Sequence, residues 1–212
     1  MMRRLAIELP AAQRTGADAK SSMETPAELM ARARRGDGES FRLLFERYTR
    51  PVISFIFYMV GRRALAEELA QETFLRAFRN LGTLRDEAKL STWLFGIARN
   101  VAREELRRAR GHEPQACVEL DDPAAAGLRD VQPSPSSRLY GKELGAAVGA
   151  ALGALDEDKR TVFVLKFYHG RSYEEIAAVT GFSHAKVRND LHRARAEMRR
   201  RLKPYAGGDD EV

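Results

Sequence analysis

Arg188, His192, Arg195 and Arg199 stand four, three and four residues apart, a spacing that puts them on one face of a helix. Residues 184–203 carry eight Lys or Arg against Asp190 and Glu197. Such a face contacts nucleic-acid phosphates, and near a helix start its arginines reach guanine edges in the major groove. The plainer alternative is a solvated basic face. A shorter stripe recurs at Asn100, Arg103, Arg107 and Arg110, opposite Ile97 and Val101. Glu68, Gln71 and Glu72 make a third set at i, i+3 and i+4. That set reads as a solvated face, as a docking site for an arginine-bearing protein partner, or as a carboxylate pair for acid/base chemistry. His112, His169, His184 and His192 show no zinc-ligand spacing with Cys117 or one another. There is no phosphate-cradling glycine loop, nucleophile elbow or H-E-x-x-H pair. The expectation is a protein with no catalytic constellation, no metal and no cofactor.

The elements that must position these faces read as helices throughout. Thr25-Pro26-Ala27-Glu28 carries an N-cap, an N1 proline and an N3 acid, with Gly36 as the stop. Phe41, Leu44, Phe45, Tyr48, Val52, Phe55, Ile56 and Met59 step by threes and fours, predicting a long helix kinked at Pro51. Leu65, Leu69, Phe74, Ala77, Phe78 and Leu81 form the next stripe. Ser91 is read as the cap of a helix that buries Trp93, Leu94, Ile97, Ala98 and Val101. Leu144, Ala147, Val148, Ala151, Leu152 and Leu155 predict another helix, and Asp156 caps one that Gly170 ends. Ser172-Tyr173-Glu174-Glu175 is a second capping box, followed by Thr180-Gly181-Phe182 and a new cap at Ser183. A short capped helix, a glycine turn and a second capped helix make a helix-turn-helix, whose second helix enters the major groove.

Four of the eight prolines (Pro114, Pro123, Pro133, Pro135) crowd between Gly111 and Ser136, with five acidic residues against Arg129. This is an acidic, Pro-rich linker. The expected organisation is all-α: two small helical domains over 25–110 and 138–204, joined by a flexible linker over 111–137, with loose tails at 1–24 and 205–212. Gly141, Gly145, Gly149 and Gly153 recur every fourth residue; this is either a poor helix tolerated in an alanine-rich segment or a thin face that another helix approaches closely. The 212 residues are 44% hydrophobic and 31% charged, with 36 Lys+Arg against 30 Asp+Glu, a net +6 that favours a polyanionic partner. Cys117 is the single cysteine, which excludes an internal disulfide framework. The longest largely apolar run, 52–60, falls well short of the ~20 residues of a membrane span. The start lacks a signal peptide's apolar core, so a cytoplasmic location is expected.

Ala66-Glu67-Glu68-Leu69-Ala70-Gln71-Glu72-Thr73-Phe74-Leu75-Arg76-Ala77-Phe78, followed by Trp93-Leu94-Phe95-Gly96-Ile97-Ala98-Arg99-Asn100, resembles regions 2.2 to 2.4 of bacterial extracytoplasmic-function (ECF) sigma factors. Residues 155–202, with Ser172-Tyr173-Glu174-Glu175-Ile176-Ala177 and Leu191-His192-Arg193-Ala194-Arg195, resemble their region 4. The resemblance covers most of 28–110 and 139–203, in family order. It implies a factor that binds core RNA polymerase through the β′ clamp helices and β flap. Such a factor directs promoter recognition, DNA melting and initiation, and is controlled by an anti-sigma factor.

By the same resemblance Glu68, Gln71, Glu72, Phe74 and Phe78 contact the polymerase, and the loop over 82–90 accepts a flipped minus-ten base. Asn100, Arg103 and Arg107 hold the minus-ten DNA. Lys186, Arg188, Asn189, His192 and Arg193 read the minus-thirty-five element, with Arg195 on phosphate. The linker is expected to thread the polymerase's RNA path. The chain departs from the family pattern with Glu68 and Glu104 for Asp, Leu84 and Leu90 where aromatics are common, Asp156 for Pro, and Asp190 on the recognition helix. Asp190 is expected to pair with Arg193 or to accept from cytosine. The alternatives are a free-standing helix-turn-helix regulator and a helical enzyme using Glu68 and Glu72.

Overall fold

A computed structural model of the chain describes residues 24–109 and 135–205. Most of the expected linker, with Cys117 and His112, and the tails before 24 and after 205 lie outside the described residues. Among those described there is no strand.

Five of the eight described α-helices begin on a side-chain cap that the sequence offers. Helix α1 (Pro26–Ala33) opens on a reciprocal box: the Thr25 backbone N–H donates to Glu28 Oε2 at 2.8 Å, and the Glu28 N–H donates to the Thr25 hydroxyl at 3.3 Å. Helix α2 (Gly38–Val60) opens on Asp37, whose carboxylate accepts from Ser40 and Arg32 and is thereby lowered to a pKa of about 2. It continues through Pro51 and stops at Gly61 in the left-handed region, φ +79°. Helix α3 (Arg63–Arg79) leads through two short 3₁₀ turns, Leu81–Thr83 and Glu87–Lys89, into α4 (Leu90–Ala109). The start of α4 corrects the expectation: the helix begins at Leu90, and the Ser91 hydroxyl accepts from the Arg171 guanidinium instead of capping. Asp86 caps the preceding 3₁₀ turn.

The second half comprises α5 (Pro135–Gly153), α6 (Glu157–Phe167), α7 (Tyr173–Thr180) and α8 (His184–Leu202). Asp156 serves α6 as N-cap and accepts from the Lys159 N–H at 2.9 Å. On α5, Gly149 is buried, while a Cβ added at Gly153 meets nothing within 4 Å.

The two helical groups share one apolar core. Phe55, Ile56 and Met59 of α2 and Phe95 and Ala98 of α4 form one cluster with Leu152, Val162, Leu165, Ile176 and Val187. A smaller cluster joins Leu29, Met30 and Ala33 of α1 to Leu44, Leu84 and Leu90. Helix α4 therefore lies against α7, and α2 against α6. Arg160 of α6 crosses the junction and is 5% exposed. It donates to Met59 O at 2.7 Å, Gly153 O at 2.7 Å and Leu155 O at 3.0 Å. One guanidinium thus serves the carbonyl ends of α2 and α5, which no helical N–H reaches.

Candidate nucleic-acid interface

An exposed aromatic face lies on α2 and α3. Phe78 is 61% exposed, Leu75 51% and Phe45 37%. The Phe78 ring meets Phe41 edge-on at 5.0 Å, and Phe45 lies 4.5 Å from Phe74. Phe74 itself is buried, so it supports Phe45 from beneath. Glu68 and Gln71 are exposed on the same helix. Glu72 is engaged within the fold: Arg76 Nε donates to it at 2.7 Å while the same guanidinium grips both Glu104 oxygens at 3.0 and 2.9 Å. Those bonds hold the Glu104 carboxyl below its usual range. The Glu68/Glu72 pair therefore does not converge as an acid/base site, because one member neutralises an arginine.

Beside the 3₁₀ turns runs a groove of about 560 Å³, lined by Thr83, Leu84, Arg85, Asp86, Lys89, Trp93, Gly96, Ile97 and Asn100. Leu84 and Leu90 are buried; they anchor the loop from below, the job their aliphatic shape suits. Trp93 is partly buried against both clusters and also walls the groove. Asn100 is shared with a second hollow of about 320 Å³ that includes Asn80, Arg103 and Arg107. Arg103 and Arg107 are exposed, but Arg103 pairs with Glu157 of α6 at 2.9 Å. Arg99, one turn earlier, is 6% exposed and lies over the Phe182 ring at 5.1 Å.

The helix-turn-helix forms as the capping signals require. Ser172 and Glu175 make the second reciprocal box, Gly181 takes φ +72°, and Ser183 accepts from the Lys186 N–H at 3.2 Å. The Thr180 hydroxyl donates to Ile176 O at 2.6 Å and accepts from the Phe182 N–H at 3.2 Å, fixing the turn. Val187, Leu191, Ala194 and Met198 face inward. Arg188, Asn189, His192, Arg193, Arg195 and Arg199 are exposed. Arg195 leans over Phe167 at 5.6 Å, towards the side of the face.

Lys186 differs from the other expected readers. Its ammonium lies 2.6 Å from Asp190, 2.9 Å from Asp158 and 4.3 Å from the Phe182 ring. Asp190, 9% exposed, therefore pairs with Lys186 at i−4 and not with Arg193. The sequence reading missed the exposure of Leu75 and Phe45, and the engagement of Arg99, Arg103 and Lys186 by residues of α6 and the turn. Leu75 was legible as an apolar residue off the Leu69/Phe74/Ala77 stripe. The contacts across the two halves carry no local signal.

His169, just after α6, sits between Phe55 at 5.9 Å and Phe95 at 4.9 Å. Its Nε2 has no hydrogen-bond partner among the described residues. Burial, then the Arg171 charge, push its pKa down to about 4. The unfolded chain takes up this proton near pH 6.5, the folded chain only near pH 4, so between them stability rises with pH. The contribution is complete above about pH 6.5 and is lost progressively as pH falls from there to about 4. In urea unfolding at pH 7 and pH 4.5, the parent is expected to lose about 2 kcal/mol more than His169→Phe. Equal losses would remove His169 as a source of the slope.

Comparison with known proteins follows the same division of the chain. Residues 44–112 match the model of Sigma-70 region 2, and residues 146–198 that of Sigma-70, region 4. The RNA polymerase sigma-H factor of Pseudomonas aeruginosa is 32% identical over 187 residues, 86% of this chain and 96% of the relative. The ECF RNA polymerase sigma factor SigX of Bacillus subtilis is 31% identical over 176 residues, 82% of this chain and 90% of the relative. A solved structure of CnrH in complex with the cytosolic domain of CnrY matches with a TM-score of 0.63 and 26% identity, covering 85% of this chain and 99% of that one. With both sigma regions in order and relatives matched along nearly their whole length, the chain belongs to the ECF RNA polymerase sigma factors.

Proposed function

We propose that this sigma factor divides its work among the three faces just described. The exposed aromatic face of α2 and α3, with Glu68, Gln71, Phe78 and the neighbouring Glu72 and Phe74, docks on the β′ clamp helices of core RNA polymerase. The groove along α4 takes an unstacked minus-ten base, with Asn100, Arg103 and Arg107 on the adjoining strand. Arg188, Asn189, His192 and Arg193 read the minus-thirty-five element, and Arg195 and Arg199 hold phosphate. Lys186 positions α8 through Asp158 and Asp190. The working units are 25–110 and 138–204, with the acidic stretch 111–137 passing along the polymerase's RNA path and region 4 meeting the β flap.

The observation that carries this reading is Phe78, a large aromatic left 61% exposed. A contiguous apolar patch marks a protein interface. We further propose that this chain, like the sigma factors it is similar to, acts in transcription initiation without being itself a catalyst, and that it works in the cytoplasm. No helix among the described residues is long and apolar enough to cross a membrane. Control by an anti-sigma factor fits a fold whose relative CnrH is solved with a second polypeptide.

Run-off transcription tests the reading. Core polymerase with this chain is expected to start RNA at defined promoters, mapped by sequencing transcripts after overexpression; neither component alone does so. Arg188→Ala is expected to relax preference at one minus-thirty-five position, whereas Arg199→Ala chiefly flattens salt dependence by about one unit of log–log slope. Tight duplex binding by the chain alone, with no transcript, returns the protein to a free-standing regulator.

A further inference from the structure

We infer that the first turn of α6 is an internal stand-in for DNA phosphate: Glu157 holds Arg103 of the minus-ten helix while the two regions are docked on one another. The inference rests on the reading of α4 and α8 as promoter-binding helices, and adds a closed state that competes with promoter.

An acidic first turn is ordinary, because carboxylates stabilise a helix start. Here each carboxylate has a second partner from a different helix. Glu157, its side chain only 13% exposed, pairs with Arg103 of α4 at 2.9 Å. Asp158 pairs with Lys186 of α8 at 2.9 Å. The two sites meet at Phe182, whose ring receives Arg99 at 5.1 Å and Lys186 at 4.3 Å. Cations from the minus-ten helix and the minus-thirty-five helix thus converge on one acidic turn and one ring.

The same docking covers the groove. Ala178 and Val179 of α7 form part of its wall, and a Cβ added at Gly96 comes within 3.9 Å of the Val179 carbonyl. A strand laid along α4 at this point meets α7.

The contacts are unevenly favourable, which makes the state reversible. The shared apolar core favours docking. Against it, Arg99 is buried with its Nε unpartnered among the described residues. Burial, then Arg103, depress its pKa. A cation stripped of water and given a ring face is poorly served, and a half-exposed Arg103 gains little from one carboxylate. A phosphate backbone serves both better. Docking and promoter binding therefore compete for the same cations, and what weakens one strengthens the other to the same degree.

The test uses the full chain with Cys117→Ser and dyes on cysteines introduced at Glu46 and Arg200. Energy transfer reports docking. Affinity for a fluorescein-labelled 30-nucleotide single strand of mixed sequence reports the freed cations. Glu157→Gln is expected to lower transfer and tighten the single strand about fivefold. The log–log salt slope is expected to steepen by about 1.4, roughly 0.7 for each of Arg99 and Arg103 released. Arg103→Glu with Glu157→Arg reverses one pair and is expected to restore transfer relative to Glu157→Arg alone, which separates a latch from general damage. Unchanged transfer in the neutralised chain overturns the inference, as does lost transfer with no gain in DNA affinity. If the parent directs run-off transcription in either case, only the latch falls; if it directs none, the promoter reading falls with it.

Discussion

Phe78→Asp is expected to weaken association with core RNA polymerase at least thirtyfold, measured by competition for core against the parent chain, while leaving the thermal midpoint within about 2 °C of the parent's. The expectation follows from how little Phe78 does inside the molecule. It is 61% exposed, and its one ring contact among the described residues is an edge-on approach to Phe41. Removing a ring at that exposure forfeits little folding energy. In an interface a buried aromatic anchor is worth about 2–4 kcal/mol, and a carboxylate in its place leaves a charge to desolvate as well. Leu75→Asp is expected to act in the same direction. Glu72 is the poorer target despite its motif position, since replacing it also frees Arg76 and disturbs the clasp on Glu104. A Phe78→Asp chain that competes for core as well as the parent would remove this face from the polymerase contact.

The helix starts were legible because capping is local chemistry. Thr25/Glu28, Ser172/Glu175, Asp156 and Ser183 cap where the sequence places them, since each needs only a side-chain oxygen within three residues of an unpaired N–H. Ser91 failed as a cap because tertiary context outbid it: a 3₁₀ turn begun by Asp86 delivers Leu90 already helical, and Arg171 takes the hydroxyl from across the structure. Helix α2 runs through Pro51, burying Leu44 before it and Val52, Phe55, Ile56 and Met59 after it. The exposed basic face of α8 was legible from period alone. Lys186 was not, because its partner Asp158 lies 28 positions earlier, on the neighbouring helix α6. Docking of the two halves was invisible for a related reason. His169, Arg99 and Arg160 look like ordinary polar residues until the helices that bury them are in place.

Arg160→Met is expected to cost about 3–5 kcal/mol in urea unfolding, the largest single-site loss of stability outside the apolar core. Methionine keeps the apolar stem and approximate volume, so the loss isolates the guanidinium from simple cavity formation. Three carbonyls depend on that group: Met59 at the end of α2, and Gly153 and Leu155 around the end of α5. A helix leaves its last carbonyls without N–H partners, and at this packed junction a buried carbonyl stripped of its donor costs about 1–3 kcal/mol. The three losses share one side chain and are not additive, which caps the sum near the value for breaking a buried charged contact. Arg160→Lys keeps the charge but not the fork, and is expected to recover less than half, because one ammonium cannot span the ends of α2 and α5 together. The division of the loss is also informative. The bonds to Gly153 and Leu155 lie within the second helical group, whereas the bond to Met59 joins it to the first. The variant is therefore expected both to unfold earlier and to broaden its transition, as the two groups come apart before either melts. A loss below about 1 kcal/mol with an undiminished slope would mean that the apolar core alone holds α6 against α2 and α5.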